Sequence, residues 1–131
     1  MSAVLDASAV LAFLGGEAGA DRVARALMQR GRMSAVNWAE VLAHRPHAGG
    51  AIDDSAFHQI TAGDEPLLEI VPFDEIQARQ TARIKAATTG VPLSLADRAC
   101  LALGQLHGLP VLTADRTWRS LGLKVKVVLL S

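Results

Sequence analysis

Two aspartates end short apolar runs at opposite ends of the chain. Ala3, Val4 and Leu5 stop at Asp6, and Val111, Leu112 and Thr113 lead through Ala114 to Asp115. Two further acids, Glu40 and Asp97, stand three residues after good helix starters, in Asn37-Trp-Ala-Glu40 and Ser94-Leu-Ala-Asp97. Carboxylates crowded into one volume repel, and each holds its proton more tightly unless a cation intervenes. Oxygen ligands with no cysteine or evident histidine partner suit Mg2+ or Mn2+. Such ions keep waters, bind phosphate oxygens and activate water for in-line attack at phosphorus. Helix N-termini beside the acids favour the same anion. Ser8 and Thr113, each two residues from one of the aspartates, can orient those carboxylates or hold a metal-bound water.

The same acids have a plainer reading. Aspartate is a favoured N-cap, and Asp6 and Asp115 both precede helical sequence. Glu40 and Asp97 occupy capping-box positions. Caps need not converge, whereas a metal site must, so the elements that carry the acids decide between the two.

Helical periodicity marks Ala7 to Leu14, and Gly15-Gly16 breaks it. Glu17 to Gln29 follows, with Ala20, Val23, Ala24, Leu27 and Met28 on one face, and Gly31 ends it. Arg32 to Val36 reads as a second strand, and Asn37 then caps a helix carrying Glu40, Val41 and Leu42. The stretch His44 to Gly50 reads as a solvated loop, because Pro46 separates His44 from His47 and no cysteine is near. Asp53 to Thr61 is a short helix with Ile52, Phe57 and Ile60 inward, and Gly63 to Pro66 is a turn. Leu67 to Val71 is a third strand and Asp74 to Thr88 a helix. Ser94 caps the most apolar helix, which runs to about His107 and holds Cys100 as a small core residue. Val111 to Thr113 and Val125 to Leu130 are the last strands.

Strands alternating with helices predict a three-layer α/β/α domain over residues 1–131, with a central, mainly parallel five-stranded sheet. Right-handed crossovers put every strand-to-helix junction at one edge, where Asp6 and Asp115 belong. Glu40 and Asp97, one turn into their helices, lean back toward that edge.

Composition narrows the partners. Lys plus Arg equals Asp plus Glu at 13 each, which excludes a global basic field for gripping nucleic acid but leaves room for a local basic rim. One cysteine excludes an internal disulfide and suits a reducing compartment. No run reaches the ~18 apolar residues of a membrane span, and no secretory signal opens the chain, so the expectation is a cytoplasmic protein with no membrane partner.

Val4-Leu-Asp6-Ala-Ser8, Asn37-Trp-Ala-Glu40-Val41, Leu93-Ser-Leu-Ala-Asp97-Arg98-Ala99 and Leu112-Thr-Ala-Asp115-Arg116 come in the order expected of a PIN domain. The chain resembles a VapC-type toxin of the prokaryotic type II toxin–antitoxin systems. The resemblance covers essentially the whole chain; each motif alone is common, and the ordered set is what is specific. It implies a Mg2+-dependent endoribonuclease, with Mn2+ as a substitute, whose acidic cluster is Asp6, Glu40, Asp97 and Asp115. By that resemblance Asp6 and Asp97 are direct metal ligands, Asp115 completes the site, and Glu40 orients or activates water. It further implies a homodimer, an RNA substrate and a small VapB-like antitoxin. Arg98, Arg116 and Arg119 are candidates for phosphate contacts. Trp118 fits packing beneath the last acidic loop better than base stacking. The stretch from His44 to Glu65 carries no family motif.

Other aspartate-centred classes fit less well. A phosphoaspartyl hydrolase wants a second aspartate two residues after its nucleophile, where this chain has Ser8. A response-regulator receiver wants paired acids on its first strand and a lysine ending its last. A non-catalytic PIN-like binding module is the remaining alternative, and it is expected to lose one of the acids.

Overall fold

A computed structural model describes residues 2–44 and 54–131. Five strands, β1 (Val4–Leu5), β2 (Gly31–Ser34), β3 (Leu68–Val71), β4 (Val111–Thr113) and β5 (Val127–Leu129), form one sheet in the order β3-β2-β1-β4-β5. All four pairings are parallel, so every strand ends at the same edge. From β1 the chain steps outward to β2 and β3, then returns to the far side of β1 for β4 and β5. The reversal falls between β1 and β4, and open parallel sheets bind ligands beyond the strand ends at such a point.

Among the described residues, six α-helices flank the sheet: α1 (Ala7–Leu14), α2 (Ala20–Met28), α3 (Ala35–Ala43), α4 (Asp54–Thr61), α5 (Glu75–Ala87) and α6 (Leu95–His107). The alternating strand residues divide the core. Leu5 and Leu112 join residues of α1 to α4 such as Val10, Leu27, Val41 and Ile60. Val4 and Val111 face the other way, onto Ile84 of α5 and Cys100 to Leu103 of α6. A period of two thus feeds both layers from each central strand. The α6–β4 contact is close because Gly104 sits in mid-helix: a Cβ there would lie 2.5 Å from Val111 Cγ2. An alanine at that position would push α6, and with it Asp97, off the sheet.

Several boundaries differ from the sequence reading, each for a local reason. β2 ends at Ser34, and Ala35 and Val36 already belong to α3. Ser34 is the N-cap, accepting from the Val36 N–H, so Asn37 is not a cap and lies inside the first turn, buried. Glu40 is therefore further into its helix than a capping-box acid. The α2 stretch stops at Met28, and Arg30, not Gly31, takes the left-handed backbone (φ 64°). Gly31 instead opens β2, where a Cβ would meet Leu5 Cδ1 at 2.7 Å. Met28 lies on the water side of α2, and Leu106 is exposed on α6. β5 is shorter than expected, and Arg116–Ser120 forms a 3-10 turn after Asp115. His47, Pro46, Ile52 and Asp53 lie outside the described residues, while His44 follows α3 and is exposed.

Candidate active site

Asp6 follows β1 directly and caps α1. Its Oδ1 accepts from the Ala9 N–H at 2.9 Å and from the Ser8 hydroxyl at 2.6 Å, and its Oδ2 accepts from the Thr113 hydroxyl at 2.5 Å. Thr113 can reach because β1 and β4 pair in register, Leu5 beside Leu112, which brings the next residues together. Both hydroxyls have their direction fixed by the loop beyond β4. Ser8 Oγ accepts from the Ala114 N–H and Thr113 Oγ1 from the Asp115 N–H, each at 3.0 Å. Their protons are left to point at Asp6. Three donors therefore support an ionised carboxylate at a buried position. Burial still prevails: desolvation pushes the Asp6 carboxyl above its ordinary value, and the charge of Asp97 adds to that.

Asp97 stands in the first turn of α6 in a full capping box. Its N–H donates to Ser94 Oγ at 3.0 Å, and its Oδ2 accepts from the Ser94 N–H at 2.9 Å. Glu40 is exposed on α3, and its carboxyl is also pushed upward. Partial burial is the main cause, the charges of Asp97 and Asp6 add to it, and a hydrogen bond from Asn37 opposes it. The buried thiol of Cys100, raised mainly by burial, feels all three acids as well. Asp6, Glu40 and Asp97 thus share one electrostatic neighbourhood around the start of α6.

Asp115 is placed differently. It caps the 3-10 turn, its Oδ1 accepting from the Thr117 N–H at 2.9 Å and the Thr117 hydroxyl at 2.7 Å. Its backbone reaches Asp6 through Thr113, and its carboxylate is exposed. Among the described residues, no three His, Cys, Asp or Glu side chains stand where they could together hold one metal ion. The capping and site readings are not exclusive for Asp6, Asp97 and Asp115, since each caps a turn and each borders the same sheet edge.

The surrounding residues divide clearly. Arg98 is half-buried and donates from Nη1 to the Leu93 carbonyl at 2.9 Å, while Arg116 and Arg119 are exposed beside Asp115. Trp118 is 1% exposed and belongs to the α6-side core, so it is closed to base stacking. Asn37 is the polar residue that the sequence reading misplaced. Its Nδ2 donates to the Ala96 carbonyl at 3.0 Å, across 59 residues of sequence. Ser34, three residues earlier, is an equally good cap, so the local sequence offered two starts for α3 and did not mark Asn37 as free of capping duty.

Comparison with known proteins agrees with this architecture. The chain is similar to the toxin–antitoxin complex from Klebsiella pneumoniae (21% identity, TM-score 0.68, covering 99% of this chain and 98% of that one). It is similar to FitAcB from Neisseria gonorrhoeae (25% identity, TM-score 0.71, 97% and 96% covered). It is also similar to DNA-bound VapBC from Salmonella typhimurium (17% identity, TM-score 0.73, 100% and 99% covered). At such identities the likeness speaks for the fold. No curated protein sequence matches the chain. The family model for the PIN domain matches residues 3–123, a span that includes Asp6, Glu40, Asp97 and Asp115. The chain belongs to the PIN domain family.

Proposed function

We propose that this chain is the VapC-type toxin of a type II toxin–antitoxin module and acts as a Mg2+-dependent endoribonuclease. The observation that carries the reading is Asp6: a buried carboxylate with no cationic partner among the described residues, pushed upward by burial and by the nearby charge of Asp97. A group so placed is destabilising when ionised unless a cation joins it. The donor set is all carboxylate oxygen, which fits a hard ion such as Mg2+ or Mn2+.

Asp6 and Asp97 would hold the ion, with Asp115 completing the site. A bound Mg2+ supplies charge to the scissile phosphate and lowers the proton affinity of a coordinated water. The chain's own residues do the rest. Ser8 and Thr113 donate to Asp6 and favour its ionised form against the cost of burial. Glu40, its proton affinity raised, is suited to orient the attacking water and take its proton. Arg98, Arg116 and Arg119 are the cations nearest in sequence for the RNA backbone. Asp97 is half-exposed and bonds Ser94 through Oδ2 alone, which leaves it able to turn toward an ion.

The Klebsiella, Neisseria and Salmonella neighbours are toxin–antitoxin, FitAcB and VapBC assemblies. By analogy, this chain would pair with a small VapB-like antitoxin; the family resemblance adds a homodimer and a place in the cytoplasm. The chain would form one PIN domain throughout. The test is incubation of purified protein with structured RNA in Mg2+ and in EDTA. Cleavage in Mg2+ that EDTA stops, and that Asp6→Asn and Asp97→Asn each lose, is expected. Cleavage at the wild-type rate by either variant removes that residue as a ligand.

One observation favours a second reading, a non-catalytic PIN-like RNA- or protein-binding module: no three described acids are gathered tightly enough to hold an ion. RNA retained but uncut in Mg2+ would select it.

A further inference from the structure

Asn37 has no part in the chemistry above, yet it is held like a site residue. Its side chain is 1% exposed in the first turn of α3, where leucine or alanine would favour the helix more. Nδ2 donates to the carbonyl of Ala96, immediately before Asp97, at 3.0 Å, and the same amide stands by the Glu40 carboxyl one turn along α3, where it lowers that group's proton affinity. Both neighbours are acceptors, so the amide cannot be flipped: nitrogen must face them and Oδ1 must point away. Oδ1 is buried there with no hydrogen-bond partner among the described residues. A buried, unpaired carbonyl is destabilising, so packing does not account for this residue, whereas its two donor hydrogens do.

We propose that Asn37 is a positioning residue: anchored on the Ala96 carbonyl, its amide fixes the Glu40 carboxylate relative to the turn that carries Asp97. The inference rests on the nuclease reading of that cluster. An amide suits the task better than the alternatives. A lysine or arginine would bridge the same acceptors but neutralise Glu40 and compete with a metal ion. A hydroxyl has one proton and cannot serve two acceptors. Glu40 and Asp97 repel, and a neutral donor holds one of them in place while leaving their charge available.

The test uses the full chain with Asn37→Leu, with Glu40→Gln and with both, with Mn2+ alone as the metal probe. Asn37→Leu should melt at or above the wild-type temperature, because it removes the unpaired carbonyl. Its Mn2+ affinity should stay within about threefold of wild type, because Glu40 handles the water and does not hold the ion. Its kcat on RNA should fall about 10-fold with KM unchanged, the usual scale for residues that orient groups around a metal site. In the Glu40→Gln background the same substitution should change kcat less than about threefold, since the group it positions is already gone. If the leucine variant does not melt cooperatively, Asn37→Ala carries the same measurements. A folded variant with wild-type kcat overturns the proposal, as does an undiminished effect in the Glu40→Gln background. Wild-type protein that neither binds Mn2+ nor cuts RNA overturns the nuclease reading beneath it; a wild type that does both beside an unaffected variant overturns the role of Asn37 alone.

Discussion

The two sides of the site are built in opposite ways. The Asp6 side is buried and tied down: one carboxylate receives three hydrogen bonds, and two hydroxyls staple the loop after β4 to the start of α1. The Glu40–Asp97 side is more open, held by one capping box and one asparagine. A buried carboxylate needs donors around it to stay charged, and those donors also fix its position. An exposed one is solvated and needs only to be aimed. The contrast suggests an anchor and a pair of adjustable partners, with α6 as the element both sides share.

Metal gives the largest test of that contrast. If the acids close on an ion, saturating Mg2+ at ~100 times its dissociation constant adds about 2.7 kcal/mol to folding, a shift of several degrees in melting temperature. Asp6→Asn keeps an N-cap and removes a charge that burial disfavours, so its metal-free melting temperature should hold or rise while most of the Mg2+ response disappears. Equal Mg2+ responses in wild type and Asp6→Asn would show that the anchor is not a ligand.

Removing the supports should hurt the two sides unequally. Thr113→Val keeps the shape of the side chain but leaves Asp6 Oδ2 and the Asp115 N–H short of partners, at a cost of about 1–3 kcal/mol. Ser94→Ala removes a cap on the open side, where water can replace it, at about 1 kcal/mol or less. Urea melts of both variants give the ranking. A larger loss for Ser94→Ala would reverse the comparison.

The smallest effect is on pH. Native Asp6 holds its proton more tightly than its ordinary value of 3.8. The native state therefore binds more protons than the unfolded chain between that value and the raised native one, and stability falls as pH rises through this window. Each unit of the rise is about 1.4 kcal/mol. Other carboxylates superimpose their own slopes, so the measurable quantity is wild type minus Asp6→Asn in EDTA. That difference should fall with rising pH from about 4 and then level. A difference that rises instead would mean the three donors outweigh burial.

Much of the architecture was legible because it is written in short-range patterns. The bounds of α1 and β4 follow from periodicity and flanking breakers, and Ser94 with Asp97 announces its own capping box. Apolar runs ending in Asp6 and Asp115 marked the sheet edge, and the ordered motifs marked the family. Where two good caps lie close together, as with Ser34 and Asn37, local preference cannot choose; the exit of β2 from the sheet did so, and it handed Ala35 and Val36 to the helix. Tertiary structure also decided what each polar group meets. Asp6 finds Thr113 only because β1 and β4 pair in register across 107 residues, and Asn37 finds Ala96 only because α3 packs on α6. Burial of Asp6 and exposure of Asp115 arise from the same packing. Caps and periods are properties of a few consecutive residues, whereas a shared electrostatic neighbourhood belongs to elements that meet only when the chain is folded.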